Sequence, residues 1–276
     1  TYKNWELIFW DNLLNDDSIK IASEFHDNRI KIFRSKIHTN LGKARKDAFM
    51  EAKGSYLAFL DVDDIWMKNK LTNQLKLFKD KDVGIGFTNT VYFSSKNSKN
   101  LYSPKKIFKL NTSKLITNYC LSLPSVILDI KKIKKLNYNF DENFCHISDF
   151  DLIVRISAIS KVKYLDEVLS GWRIHTNNES FKRKEIFSIE IENWCNIQKK
   201  NNYLKDYLNE IKELRLITLA QKRILRYRFE FYDLIECIKH KGTNFKNKIF
   251  IISSFIPFLP RTYYLIRKYL FKLKWY

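Results

Sequence analysis

Three short apolar runs separated by two segments of helical spacing fill the first 66 residues, and this alternation constrains the fold more than any other feature. "WELIFWD" (5–11) ends in an acid and reads as a buried strand. "DDSIKIASEFH" (16–26) opens with capping residues, then spaces Ile19, Ile21, Ala22 and Phe25 as a helix does. "RIKIFRS" (29–35) reads as a second strand, "LGKARKDAFMEAKG" (41–54) as a helix stopped by Gly54, and "SYLAFLDV" as a third strand. Strand, helix, strand, helix, strand predicts an α/β fold whose sheet is mostly parallel and flanked by helices. Ligands of such sheets sit beyond the carboxyl ends of the strands. Asp11 and Asp61 fall at two of those ends.

Further along, "NKLTNQLKLFK" (69–79) predicts a helix and "VGIGFTNTVYF" (83–93) a strand. "SSKNSKNLYSPKK" (94–106) is polar and irregular, so it reads as a loop or a domain seam. "LSLPSVILD" (121–129) predicts a strand, "SDFDLIVRISAIS" (148–160) a helix with a Ser-x-x-Asp cap, and "KVKYLDEVLSGWRIH" (161–175) a strand pair. From 184 to about 240 the pattern is helical throughout. A hydrophobic content of 45% across 276 residues is ample for one large core or two smaller ones.

Charge narrows the partners. Fifty Lys+Arg against 30 Asp+Glu favour an anionic one. Against that background "YLAFLDVDDIW" (56–66) is conspicuous, because it sets Asp61, Asp63 and Asp64 at the mouth of an apolar strand. Carboxylates beside a core are costly unless hydrogen-bonded, paired or bound to a cation. Where a strand breaks into a turn, the two acids of Asp-x-Asp can converge on Mg²⁺ or Mn²⁺ that keeps open positions for phosphate oxygens. The bland alternative is that Asp63 or Asp64 caps the following helix. Cys120, Cys145, Cys195 and Cys237 lie far apart with no CxxC pair, so neither zinc nor a disulfide framework is expected. No run of 18 apolar residues is long enough to span a bilayer.

"GKARKDAFMEAKGSYLAFLDVDDIWMKNKL" resembles the heart of family-2 glycosyltransferases, enzymes of the GT-A (Rossmann-like) fold that use nucleotide-sugar donors. "TYKNWELIFWDN" resembles that family's second strand with its terminal acid, and "NLGKARKDAF" the helix before the Asp-x-Asp strand. "SDFDLIVRIS" is similar to its Glu-Asp-x-Asp-Leu segment and "GWRIHTNNES" to its Tyr-Arg-x-His segment. The four lie in the family's order across roughly residues 1–181. The resemblance implies a GT-A catalytic domain over 1–181, with 1–98 binding the nucleotide sugar and 99–181 the acceptor. Residues 182–276 would form a helical, basic extension.

Roles carry over by position. Asp63 and Asp61 would hold Mg²⁺ or Mn²⁺ on the donor diphosphate, with His175 completing the metal site; Asp61 is alternatively a ribose contact. Asp11, with Asn12 and Lys43, would contact the nucleotide, and Asp149 would be the general base. One base and no protein nucleophile imply an inverting transfer, from a UDP-sugar in the first instance, to a hydroxyl of a glycan or lipid-linked saccharide in cell-envelope polysaccharide synthesis. Family members usually carry a strand and helix before the position of Thr1, Leu13 and Leu14 replace small polar residues, and Ser148 replaces an acid. These departures motivate a rival reading, a catalytically impaired transferase acting as a binding or scaffold subunit.

Residues 241–276 bring Lys241, Lys246, Lys248, Arg261, Arg267, Lys268, Lys272 and Lys274 among aromatic and aliphatic residues, without a single acid. Such a segment suits an anionic membrane surface, or else a hairpin packed on protein. It predicts a cytoplasmic enzyme held peripherally on the inner face of the membrane. A basic nucleic-acid-binding protein is a third reading, for which no recognition motif is found, so no nucleic-acid partner is expected.

Overall fold

The computed structural model describes residues 1–101, 110–178, 183–226 and 245–254. They group into two compact units. Thr1–Thr90, Asn100–Lys109 and Leu121–Gly171 form the first; Val91–Lys99, Leu110–Cys120 and Trp172–Tyr276 form the second.

The first unit opens with β1 (Leu7–Asp11), α1 (Ser18–Ser23), β2 (Ile30–Arg34) and α2 (Leu41–Glu51). β1 and β2 pair in parallel, with Asp11 opposite Arg34, joined by the crossover that a parallel pair needs. α2 starts on Asn40, whose side chain accepts from the Lys43 N–H, and stops at Glu51 because Ala52 turns extended. The predicted stop at Gly54 is therefore three residues late.

β3 (Tyr56–Ala58) does not join β1; it pairs antiparallel with β7 (Ile127–Asp129). The parallel pairing expected through the third strand thus ends at β2. The larger sheet runs β3-β7-β5-β8-β4, with β4 at Ile65–Trp66, β5 at Val83–Phe93 and β8 at Lys161–Arg173, and β6 (Ser98–Asn100) pairs with β5 off this path. It is a mixed sheet with helices against it. β8 is one 13-residue strand, not the predicted strand pair; its turn-type dipeptide Ser170-Gly171 stays extended and pairs with Trp66 and Ile65 of β4. The chain passes from the first unit to the second inside β5 and again inside β8.

α6 (Ser148–Ile159) is the spine of the first core. Its Leu152, Ile153, Val154 and Ile156 are fully buried, as are Ile85 and Phe87 of β5 and Leu128 of β7. Gly84 lets the C-terminal end of α6 approach β5, because a Cβ there would stand 2.1 Å from Ser160 Oγ. One polar knot sits inside this core. Asp151 and Arg155 pair at 2.5 Å with both side chains wholly buried, and Arg155 also donates to the carbonyls of Tyr138 and Asn139. Every charge there has a partner, which is what a buried ion pair needs to be tolerated. Between these segments lie α3 (Lys70–Gln74), continued by a 3-10 turn to Lys79, and α5 (Ile130–Ile133).

The second unit is helical. It holds α4 (Thr112–Thr117), α7 (Lys184–Gln198), α8 (Leu208–Arg226) and α9 (Phe245–Ser253), with a 3-10 turn at Asn202–Tyr207. Leu216 and Ala220 of α8 bury with Ile251 of α9. Ser113 Oγ donates to Glu210, Asn247 donates to Glu213, and Lys222 pairs with Glu192. Cys120, Cys145 and Cys195 form no disulfide among the described residues. Among those residues no helix is long and apolar enough to cross a membrane. Most of the basic segment 241–276, to which membrane binding was assigned, lies outside the described residues, as does Cys237.

Candidate active site

The acid turn follows β3. Asp61 to Asp64 close a tight turn through a 3.0 Å bond from the Asp64 N–H to the Asp61 carbonyl. Val62 is 91% exposed, whereas Asp63 is half-buried and Asp64 buried. The next helix, α3, begins only at Lys70; Asn69 holds its cap position, without a side-chain hydrogen bond. Neither Asp63 nor Asp64 caps it, so the capping alternative drops out.

Asp149 enters from α6. The expected Ser-x-x-Asp cap is not formed: Ser148 already lies within the helix, and Ile147 takes the cap position without a side-chain bond. Ser148 Oγ and Asp149 Oδ1 instead both accept from one donor, Arg45 Nη1, at 3.1 and 3.2 Å. Asp149 sits in the first turn of α6, where the helix dipole favours a negative charge.

Asp61, Asp63, Asp149 and Arg45 form one electrostatic cluster. The protein packed around the Asp61 carboxyl, although part of the residue stays exposed, pushes its pKa up; Asp63 and Asp149 push the same way and Arg45 opposes them. Carboxylate oxygens are hard ligands of the kind that Mg²⁺ and Mn²⁺ take.

Sequence reasoning missed Arg45. It stands between Lys43 and Lys46 in a basic helix, and composition offers no reason to single it out. Helical geometry separates the three: Lys43 pairs with Asp47, Lys46 reaches Glu142, and Arg45 turns to Asp149. What fixes that direction is the docking of the α2 N-terminus on residues 141–144. Asn40 Nδ2 donates to the Glu142 carbonyl at 2.7 Å, and a Cβ on Gly42 would stand 2.1 Å from the Phe144 carbonyl oxygen.

The other sequence-derived candidates have separate surroundings. Asp11, the last residue of β1, is buried; it pairs with Arg34 at 3.0 Å and accepts from the Leu14 N–H. Asn12 spends its amide on Thr39, donating to its carbonyl and accepting from its N–H and Oγ1, which clasps the β1 loop to the approach of α2. Leu13 between them has φ of 60°, a left-handed conformation costly for a branched residue. Lys43 is engaged along its own helix. His175 follows β8 in the second unit, where its Nδ1 accepts from the Asn177 N–H and its backbone N–H donates to Asn178 Oδ1.

The profile of the family described as "Glycosyl transferase family 2" matches residues 1–136. The UDP-Glc:alpha-D-GlcNAc-diphosphoundecaprenol beta-1,3-glucosyltransferase WfgD of Escherichia coli is 31% identical over 190 residues, 67% of this chain and 72% of that protein. Among solved structures, TarS 1-349 of S. aureus in complex with UDP-GlcNAc superposes with a TM-score of 0.58 at 14% identity, covering 90% of this chain and 70% of that one. The mannosyltransferase PcManGT of Pyrobaculum calidifontis, in complex with GDP-Man and Mn2+, gives 0.56 at 11% identity, over 90% and 76%. The fold is that of GT-A glycosyltransferases.

Proposed function

The chain belongs to glycosyl transferase family 2, and from that premise we propose that it moves a sugar from a UDP-sugar to a hydroxyl of a lipid-linked saccharide, with inversion at the anomeric carbon. The observation that carries this reading is the cluster of Asp61, Asp63 and Asp149 with Arg45 among them. The donor and acceptor classes are supported by a relative that acts on a diphosphoundecaprenol-linked GlcNAc and by a structural neighbour holding UDP-GlcNAc.

In this reading Asp149 accepts the proton of the acceptor hydroxyl as its oxygen bonds to the anomeric carbon. The bond from that carbon to the donor diphosphate breaks, and its electron pair leaves on the phosphate oxygen. Arg45 orients the base through its contact with Asp149 Oδ1. Asp61 and Asp63 would hold Mg²⁺ or Mn²⁺; when bound, the cation neutralises charge growing on the leaving diphosphate. Asp11 lies at a strand end suited to a base contact, and Asn12 shapes its loop. The division into a donor-binding part (1–98), an acceptor-binding part (99–181) and a basic extension on an anionic membrane belongs to the same proposal.

Calorimetric titration of UDP, with and without Mn²⁺, tests it. Metal-dependent binding that Asp63→Ala abolishes is the expected result. Binding indifferent to both the metal and the substitution would remove the metal assignment. Absence of UDP binding, with GDP and dTDP equally inert, would favour the scaffold reading.

A further inference from the structure

The stretch "IKKIKKL" (130–136) follows β7 directly, as α5 and the turn after it. Its apolar residues Ile130, Ile133 and Leu136 recur every third position and are all buried, and α5 packs on α6. The lysines between them are turned outward: Lys131, Lys134 and Lys135 are exposed and Lys132 is half-buried. Backbone bonds fix the stretch at its start. The Asp129 side chain accepts from the Lys131 N–H at 2.8 Å, and the Ile130 N–H donates to the Ser55 carbonyl at 3.1 Å. The charge is carried on an anchored piece of surface.

That charge is one-sided. No acid occurs between Ile130 and Phe140. Among the described residues the side chains of Lys131, Lys132 and Lys134 make no ion pair. The acids that flank the stretch have other partners: Asp141 accepts from Asn143, Glu142 reaches Lys46, and Asp129 is half-buried on the Lys131 N–H. The end of α2, which Asn139 touches at Met50, adds the exposed Glu51. Four lysines outweigh it and Asp129. We propose that this lysine surface docks the first unit on an anionic lipid membrane, with the ammonium groups of Lys131, Lys132 and Lys134 against the headgroup phosphates. Lysine is a strongly hydrated point charge on a flexible stem, which suits the diffuse field of a lipid surface. A nucleic acid is bound with the help of stacking side chains, and residues 129–137 hold neither an aromatic residue nor an arginine. The choice of a membrane rests on the proposed lipid-linked acceptor. The surface lies in the first unit and is separate from the basic segment 241–276.

The intact chain is sedimented with phosphatidylcholine vesicles with and without phosphatidylglycerol, and titrated with duplex DNA in the same buffer. Both arms are repeated on Lys131→Gln/Lys132→Gln/Lys134→Gln and on the matching triple arginine variant, with a thermal melt of each. At about fivefold per charge, the glutamine variant should lose retention on phosphatidylglycerol by on the order of tenfold or more, and the arginine variant should keep it. A parent chain that phosphatidylglycerol does not retain, or a glutamine variant retained as well as the parent, overturns the proposal. So does an arginine variant that falls as far as the glutamine one, since charge would then not be the cause. A loss confined to DNA would give the surface to nucleic acid and overturn the membrane assignment. Should the glutamine variant melt early, Lys131→Gln/Lys134→Gln, at two exposed positions, carries the same comparison. UDP enters neither arm, so failure of the UDP titration beside a loss of vesicle retention would remove the donor reading and leave this surface standing.

Discussion

As the proposed base, Asp149 faces two demands at once: it must be free to accept a proton, and it must be held where the proton will be. Arg45 meets the second by donating to one carboxylate oxygen. Asp149→Asn should therefore lower kcat by about 10²–10⁴-fold and leave UDP affinity unchanged, as initial rates and calorimetry would read. Lys70 makes a different residue-scale case. It is buried, its Nζ donates to Gln74 Oε1, and burial lowers its pKa from 10.5 to about 7. Between those values the unfolded chain holds a proton that the folded chain lacks, so stability rises with pH from about 7 toward 10.5 and is lowest below 7, where folding must bury the charge. Lys70→Met should raise Tm at pH 6 and flatten that rise; parallel melting curves for variant and parent would contradict it. Asp11, Asp61 and Asp63 were legible as candidates because an acid after an apolar run is a local signal, and Asp149 was legible as one only through a resemblance to a family segment. Arg45 and Lys70 were not, because a cation in a chain with 50 Lys+Arg acquires meaning only from what faces it.

Elements matter here through how closely they approach. α2 rests its first turn on the carbonyls of residues 141–144, and Gly42 is the position that allows it. Gly42→Ala should destabilise the fold by about 1–3 kcal/mol and misplace Arg45, so thermal melts and kcat fall together. Arg155→Met should cost about 3–5 kcal/mol, because it leaves the buried Asp151 carboxylate without its guanidinium partner. Replacing both partners by apolar residues should recover most of that loss, and denaturant melts of the three variants would show it. The strands and helices of residues 1–93, the two-residue β4 apart, were readable from period and capping residues. The union of "KVKYLDEV" and "LSGWR" into one strand was not, since a continuous strand differs from a hairpin there only by the absence of a turn. Nor could local pattern say that β3 takes β7 as its partner, since that pairing joins residues some seventy positions apart.

At the scale of the whole molecule, the sequence suggested a cut near residue 181, between a catalytic domain and an extension. That cut remains the proposed functional division, and the compact units follow a different line. Val91–Lys99, Leu110–Cys120 and the residues after Gly171 group with the helices that follow. A fragment ending at 181 would keep these segments and lose the helices they pack with. It should be poorly soluble and melt without a sharp transition, which expression trials and circular dichroism would reveal. This interleaving also has a consequence for synthesis. The second unit's first segment leaves the ribosome as residues 91–99, yet, the short α4 apart, its helical partners begin at residue 184. At about 5–20 residues per second, that segment waits on the order of ten seconds before its companions exist. During that interval "VYF" (91–93) is exposed apolar strand, and a cell making this protein has most need of a chaperone while the chain is half translated.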